Sequence, residues 1–326
     1  MSLTLVTGGA GFVGKKLVST LRARGEAVRV LDLAPPQSEG DVQGSVADPQ
    51  AAKAALDGVE TVFHLAGNAQ LWAPDARVFD EANHQGTRVM LQAARQAGVR
   101  RFIHCSSLTT LVGARTPIGR SGADETILLD PDEMLGPYPK SKRFAELAVM
   151  EAVKEGLDAV IAIPTEPLGA GDESLTPPTR MIMDFVNGKT PAYIDCILNF
   201  VPVQSLAEGL IAARERGRRG ERYLLGGENT GMADLLAAIE KISSRTMPKT
   251  KLPYAVAQLA GVIDTHLVAW LTGQAPKAPL TGVRLAGRRV SFSSEKAVRE
   301  LGWRASPFEP ALTETLQWMK AAGLID

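Results

Sequence analysis

Tyr138 and Lys142 stand four residues apart in the run Tyr138-Pro139-Lys140-Ser141-Lys142. On a helix this spacing projects a phenol and an ammonium from one face. A phenol of pKa near 10 is a poor base at neutral pH, and bringing it to about 7 takes roughly 4 kcal/mol of preferential stabilisation of the phenolate. Lys142 is placed to supply part of that. A second group of residues lies in Thr7-Gly8-Gly9-Ala10-Gly11-Phe12-Val13-Gly14. Gly8 permits a tight turn, Gly11 lets the backbone approach a pyrophosphate, and Gly14 lets a helix pack closely on a strand. Phe12 and Val13 then open a helix whose N-terminus faces the phosphate charge. Asp32 follows 18 residues after Gly14, at the predicted end of a strand. There a carboxylate accepts both hydroxyls of an adenosine ribose and repels a 2′-phosphate. The residues after it, Leu33-Ala34-Pro35-Pro36, bring no basic group, so NAD is expected over NADP. Each pattern is weak alone, since YxxxK arises by chance on exposed helices and a glycine turn need bind nothing.

The elements that would position these groups follow from hydrophobic spacing. Leu3–Thr7, Val28–Leu33, Thr61–Leu65, Arg101–Cys105 and Ala159–Ile163 read as strands. Lys15–Arg24, Gln50–Leu56, Ala76–Ala97 and Ser141–Lys154 have helical spacing. Strands apolar at successive positions are buried on both faces, which implies a parallel sheet covered by helices. The fold class is therefore α/β, a Rossmann-type doubly wound parallel sheet, with a smaller irregular C-terminal substrate-binding region. Residues 1–165 would form the NAD-binding domain and 166–326 mainly the substrate-binding region, with a strand and helix in 199–220 returning to the sheet. The basic run from Arg214 to Arg222, broken by Gly217 and Gly220, reads as a solvated turn.

Composition narrows the function. Of 326 residues 45% are hydrophobic and 22% charged, as in ordinary globular chains. Lys plus Arg (36) balances Asp plus Glu (36), so no overall field draws nucleic acid. Cys105 and Cys196 make no disulfide framework, and no Cys/His cluster suggests a metal. The N-terminus lacks the pattern of a secretory signal. The apolar stretch Leu252–Leu271 is interrupted by Gln258, Asp264 and His266 and reads as a buried or amphipathic helix rather than a membrane anchor. A cytoplasmic enzyme acting on a small molecule is expected.

These motifs, together with Val62-Phe63-His64-Leu65-Ala66-Gly67, Asn83-His84-Gln85-Gly86-Thr87, Cys105-Ser106-Ser107 and Leu301-Gly302-Trp303, resemble the extended short-chain dehydrogenase/reductase superfamily over nearly the whole chain. Within it the chain is most similar to the dihydroflavonol-reductase-like branch that includes the hopanoid-associated sugar epimerases, through Leu71-Trp72-Ala73, Pro191-Ala192-Tyr193, Gly226-Gly227-Glu228-Asn229 and Phe292-Ser293-Ser294-Glu295-Lys296-Ala297. The resemblance implies that Tyr138 is the catalytic acid/base, that Lys142 holds the nicotinamide ribose and lowers the Tyr138 pKa, and that Ser107 hydrogen-bonds the reacting oxygen. It implies further that Asn83 supports the site, that Leu65, Ala66 and Gly67 line the cofactor cleft, and that Pro164 and Thr165 face the nicotinamide.

The sequence departs from the superfamily in three places. Gly44-Ser45-Val46 stands where a Gly-Asp-Leu contacts adenine, leaving Ser45 or the backbone around Val46 to hold it. The loop after Ser107 is longer than in some relatives, so counting back from Gly113 puts Leu108 in the catalytic place, whereas aligning from the strand favours Ser107 with Thr109 in reserve. Asp32 replaces a basic residue common in NADP-using reductases of the branch. His64 and His104 read as core residues and Cys105 as a small buried hydrophobe. Trp72 either covers the substrate or packs. Met181, Met183, Phe185, Tyr193 and Trp270 form core or a pocket wall. The expected reaction is NAD-dependent interconversion of a secondary alcohol and a ketone; the alternatives are a nucleotide-sugar epimerase with tightly held NAD and a silent NAD-binding sensor. A homodimer is expected through Ala76–Ala97 and Ser141–Lys154, using Val78, Val89, Met90, Phe144 and Leu147.

Overall fold

The computed structural model describes residues 2–325, the Trp270 side chain excepted. Its first half alternates strand and helix: β1 (Leu3–Thr7), α1 (Phe12–Ala23), β2 (Ala27–Asp32), β3 (Val42–Gln43), α2 (Pro49–Ala55) and β4 (Val59–His64). Next come α3 (Arg77–Phe79), a π-helical segment Asp80–Gln85, α4 (Gly86–Gln96), β5 (Arg101–Cys105), α5 (Pro137–Lys154) and β6 (Ala159–Pro164). The apolar spacing that predicts the helices has its physical basis in burial: Leu17, Val18 and Leu21 of α1 face the sheet. Local chemistry sets the ends. Gly25, in the left-handed conformation, follows α1, while the Asp48 side chain accepts the Gln50 N–H and Pro49 opens α2.

The second half comprises β7 (Glu166–Leu168), α6 (Pro177–Val186), β8 (Tyr193–Ile194), β9 (Ile197–Pro202), α7 (Val203–Arg216), β10 (Arg222–Leu225), β11 (Glu228–Gly231), α8 (Met232–Ser243) and β12 (Lys251–Leu252). The chain ends with α9 (Tyr254–Ile263), a π-helical segment Asp264–Val268, α10 (Ala269–Thr272), α11 (Leu280–Ala286) and α12 (Phe308–Ala321). The central sheet is parallel throughout, in the order β10-β6-β5-β4-β1-β2-β3. The direction of winding reverses between β1 and β4, and a doubly wound sheet binds ligands outside the carboxyl ends of its strands at such a point. Apolar clusters cover both faces of this sheet.

The strand expected at 199–203 does not return to the central sheet. β9 pairs with β7 and β11 in a separate three-stranded sheet, and the edge beside β6 is taken by β10. The reason is burial: all four β10 residues are buried, as that position demands, whereas β9 begins half exposed. Helix α7 of this expected pair packs onto the central sheet through Leu206, Leu210 and Ile211, and Val201 of β9 joins the same cluster. The solvated-turn reading fails at its end as well, because Arg222 is buried in β10. A third cluster, drawn from residues 168–325, packs the smaller region around Met183, Phe185, Tyr193, Phe200 and Leu312, with Met181 against it. Those residues are core, while the Trp270 side chain lies outside the described residues.

Candidate active site

The carboxyl ends of β1, β4, β5 and β6 meet on one edge of the sheet, and the residues singled out in the sequence gather along it. Gly8 turns the chain out of β1 at a φ of +71°, and a Cβ there would stand 2.8 Å from the Ala66 nitrogen. At Gly14 a Cβ would fall 2.0 Å from the Gly8 carbonyl oxygen, so the helix rests directly on the turn. Gly11 caps α1 without any side-chain hydrogen bond. Phe12 is buried, and Val13 packs against the sheet's core.

The β1 and β4 ends are stitched together, Leu65 N donating to the Thr7 carbonyl at 3.2 Å and Ala66 N to Thr7 Oγ1 at 3.1 Å. His64 bridges Thr7 Oγ1 at 2.8 Å and Thr87 Oγ1 at 3.0 Å. Burial, with the nearby Lys142 charge, lowers its pKa to about 3, so it serves as a neutral linker in the core. Asp32 Oδ2 accepts from Ala10 N at 2.9 Å and Oδ1 from Ala34 N at 3.0 Å. A carboxylate offers about four acceptor positions, so capacity remains for ribose hydroxyls. Ser45 Oγ accepts from Ala47 N at 3.1 Å, and Val46 is buried against Gly86. Pro164 ends β6, and Thr165 is buried just beyond it.

The chemical groups sit on the same edge. Tyr138 lies in the first turn of α5, and its phenol meets the Ser107 hydroxyl. Ser107 is the residue brought to the phenol from its loop; Thr109 bonds instead to Ser107, its Oγ1 donating to Ser107 Oγ at 3.0 Å. Lys142, one turn along α5, donates from Nζ to the Cys105 carbonyl at 2.6 Å. The side chains of Tyr138, Lys142 and Ser107 are all buried, contrary to a chance YxxxK on an exposed helix.

Burial dominates the electrostatics of these two groups. Burial pushes the Tyr138 phenol up to about 12, outweighing the lowering interaction with Ser107. The same burial lowers the pKa of Lys142, opposed by Cys105 and Glu146. Without further positive charge, Tyr138 is a neutral hydrogen-bond donor at physiological pH.

Asn83 fixes this arrangement. It lies in the π-helical turn, a local widening of a helix that recurs at functional sites. Its Nδ2 donates to Ser141 Oγ at 2.9 Å and to the Asn68 carbonyl at 3.0 Å, while its Oδ1 accepts from Asn68 N at 2.8 Å. Ser141 Oγ in turn donates to the Tyr138 carbonyl at 2.8 Å. Asn83 thus joins the loop beyond β4 to the turn that carries the phenol. It also explains Gly67, where a Cβ would meet Asn83 Oδ1 at 2.4 Å.

Sequence reasoning missed the group behind the site. Glu146, fully buried, accepts from Ser106 Oγ at 2.5 Å, Thr110 Oγ1 at 2.9 Å, Arg143 Nη1 at 2.9 Å and Arg222 Nη2 at 3.0 Å. Arg222 also donates to the Glu125 and Ile127 carbonyls, each at 2.7 Å. The signal available was Glu146 standing four residues beyond Lys142, on the same helix face.

The profile of the NAD dependent epimerase/dehydratase family matches residues 4–226. The chain belongs to that family. A Synechocystis protein bearing a provisional dihydroflavonol 4-reductase name is 31% identical, the match covering 98% of this chain and 95% of that one. The sterol demethylase protein B of Methylococcus capsulatus is 30% identical over 99% of each. The crystal structure of gox2253 is 33% identical, covers 100% of both chains and superposes with a TM-score of 0.84. The family is one of NAD-dependent enzymes, and the site fits its cofactor. The Gly8–Gly14 cradle leaves no room for a Cβ at either end, Asp32 retains acceptor capacity, and Thr165 Oγ1 is buried with no hydrogen-bond partner among the described residues.

Proposed function

We propose that the protein interconverts a secondary alcohol and a ketone with NAD, Tyr138 acting as acid/base, Ser107 holding the reacting oxygen and Lys142 holding the nicotinamide ribose. The observation that carries this reading is the buried Tyr138 phenol meeting Ser107 on the sheet edge that also carries the glycine turn, with Lys142 one helical turn away. Gly8, Gly11, Phe12, Val13 and Gly14 would take the pyrophosphate, Asp32 the adenosine ribose, Ser45 and Val46 the adenine side, and Leu65, Ala66, Gly67, Pro164 and Thr165 the rest of the cleft. NAD, when bound, supplies the hydride acceptor or donor.

The protein's own residues handle the proton. Ser107 donates to the substrate oxygen and fixes it beside the phenol. In reduction the neutral phenol is already a proton donor. In oxidation it must first lose its proton, and the Lys142 ammonium is the positive charge held nearest on its own helix face. Burial keeps bulk water from exchanging that proton.

A lipophilic alcohol is the substrate class we favour, because the relative from Methylococcus is named for a sterol and half-buried Leu71 and Trp72 lie in the loop beyond β4. Turnover of steroid, aromatic and sugar alcohols with added NAD tests it. Tyr138→Phe should cut turnover by roughly 10²–10⁴-fold while sparing NAD affinity; full activity in that variant sinks the assignment. Tightly held NAD that needs no addition, with a nucleotide sugar turned over instead, would favour an epimerase.

We also read residues 1–165 with α7 and β10 as the NAD-binding part and 166–326 otherwise as the substrate-binding part, a division supported by the separate core of residues 168–325. A homodimer through 77–96 and α5 is supported by exposed Leu147 and part-buried Val78, Val89 and Phe144; Met90, by contrast, is fully buried within the subunit. The two free cysteines suit a cytoplasmic location.

A further inference from the structure

The helical stretch 254–272 is turned inside out. Its inward positions are small, Ala257, Gly261 and Ala269, whereas Val256, Leu259, Val262, Ile263, Leu267 and Leu271 face solvent. Leu259 is 62% and Leu271 66% exposed, values normal for lysines and unusual for a row of leucines.

Small residues bring the stretch flat against the body of the protein. A Cβ on Gly261 would stand 3.2 Å from a Val283 methyl of α11 and 3.3 Å from the Ala278 carbonyl. Asp264 Oδ2 accepts from Ala278 N at 2.9 Å, and Thr265 Oγ1 accepts from Leu280 N at 3.0 Å. The inner side is therefore bonded down, and no described helix is long and apolar enough to cross a membrane. Among the described residues, nothing covers the outer side.

Charge indicates what covers it. From residue 252 to 276 the only carboxylate is Asp264, which is turned inward on Ala278, and there is no Lys or Arg at all. Exposed Lys249 precedes the stretch and exposed Lys277 follows it, while Lys251 pairs with Asp195 at 3.6 Å. A protein partner would be expected to find polar rim groups and roughly one hydrogen bond per 100–200 Å². This face offers little beyond Tyr254, Gln258, His266 and Thr272 for that purpose, and its apolar residues are mostly aliphatic. An uncharged aliphatic face between cations matches acyl chains beneath anionic headgroups.

We propose that the 254–272 helix docks in the surface of an anionic lipid bilayer, lying in its plane with Leu259, Ile263 and Leu267 among the acyl chains. The docked face lies close to the site. α11, which receives Gly261 on one side, places Gly282 where a Cβ would stand 3.1 Å from Leu71 Cδ1. Its Thr281 fills the space beside Gly136, two residues before Tyr138. Docking would set the catalytic edge near the membrane surface, whichever alcohol it turns over.

Co-sedimentation of the full chain with phosphatidylcholine vesicles, with and without phosphatidylglycerol, tests the proposal. The wild type should bind the anionic vesicles, more weakly as salt rises. The double variant Leu259→Glu/Leu267→Glu should bind them at least about tenfold less well. Lys249→Glu/Lys277→Glu should lose the preference for anionic lipid, and Leu147→Glu, at the expected dimer helices, should bind as wild type. NAD affinity retained in each variant shows that the fold persists; should the glutamate pair misfold, Leu259→Ser/Leu267→Ser replaces it. Wild-type protein that stays in solution with both vesicle types overturns the proposal. So does a double variant that binds equally, or a face that instead joins two copies, seen as a smaller species for the double variant together with no vesicle binding.

Discussion

The Lys142 ammonium donates a 2.6 Å hydrogen bond to the Cys105 carbonyl, tying the helix that carries Tyr138 to the end of β5. Lys142 is thereby anchored one helical turn beyond Tyr138, and burial holds the Tyr138 pKa at about 12. An ultraviolet difference titration of wild type against Tyr138→Phe should place this phenol above the ordinary value near 10. The neutral phenol stabilises the fold fully below pH 10, and that contribution fades as pH rises through about 12. Adding oxidised NAD, with its positive nicotinamide, should move the titration to lower pH; a phenol that titrates normally without cofactor contradicts this account.

Asp32 is held by two backbone N–H groups and has no ion-pair partner among the described residues. A 2′-phosphate beside it would bring like charges together, which costs several kcal/mol. Asp32→Ala should therefore narrow the preference for NAD over NADP by roughly tenfold or more, read as the ratio of kcat/KM for the two cofactors. An unchanged ratio would place the ribose elsewhere.

Glu146 joins two arginines in the core behind the catalytic loop, and its removal would leave both cations buried without a carboxylate. Glu146→Leu should lower unfolding free energy by about 3–5 kcal/mol in urea denaturation, as expected when one partner of a buried pair is deleted. A loss below about 1 kcal/mol would mean that water enters and solvates the arginines.

The sheet and the reactive edge were legible because they rest on short-range rules. Apolar runs marked β1, β4, β5 and β6, and glycine spacing marked the turn where helix meets strand. Tyr138 and Lys142 were legible because helical spacing alone puts them on one face. What stayed hidden depends on contacts distant in sequence. Arg222 looks like part of a basic surface run until Glu146, 76 residues earlier, is seen against it. β9 looks like a sheet strand until β7 and β11 are seen to claim it. The phenol's high pKa follows from burial, and the spacing that predicts a lysine neighbour says nothing about the water removed from both groups.

Glu166 supplies a pH-dependent joint between β7 and β9. Its Oε2 accepts from Asn199 N at 2.6 Å, and burial pushes its pKa up to about 7 despite that bond. The protonated form is the one the fold favours. Its stabilising contribution is therefore complete below the ordinary carboxyl value of 4.5 and is lost as pH rises through about 7. Glu166→Gln mimics the protonated side chain and should remove this dependence. Because the side chain keeps some solvent contact, the wild type should lose only about 1–2 kcal/mol relative to the variant between pH 5 and 8. Paired melting curves across that range provide the measurement. Parallel curves would show that Glu166 is already ionised well below neutrality.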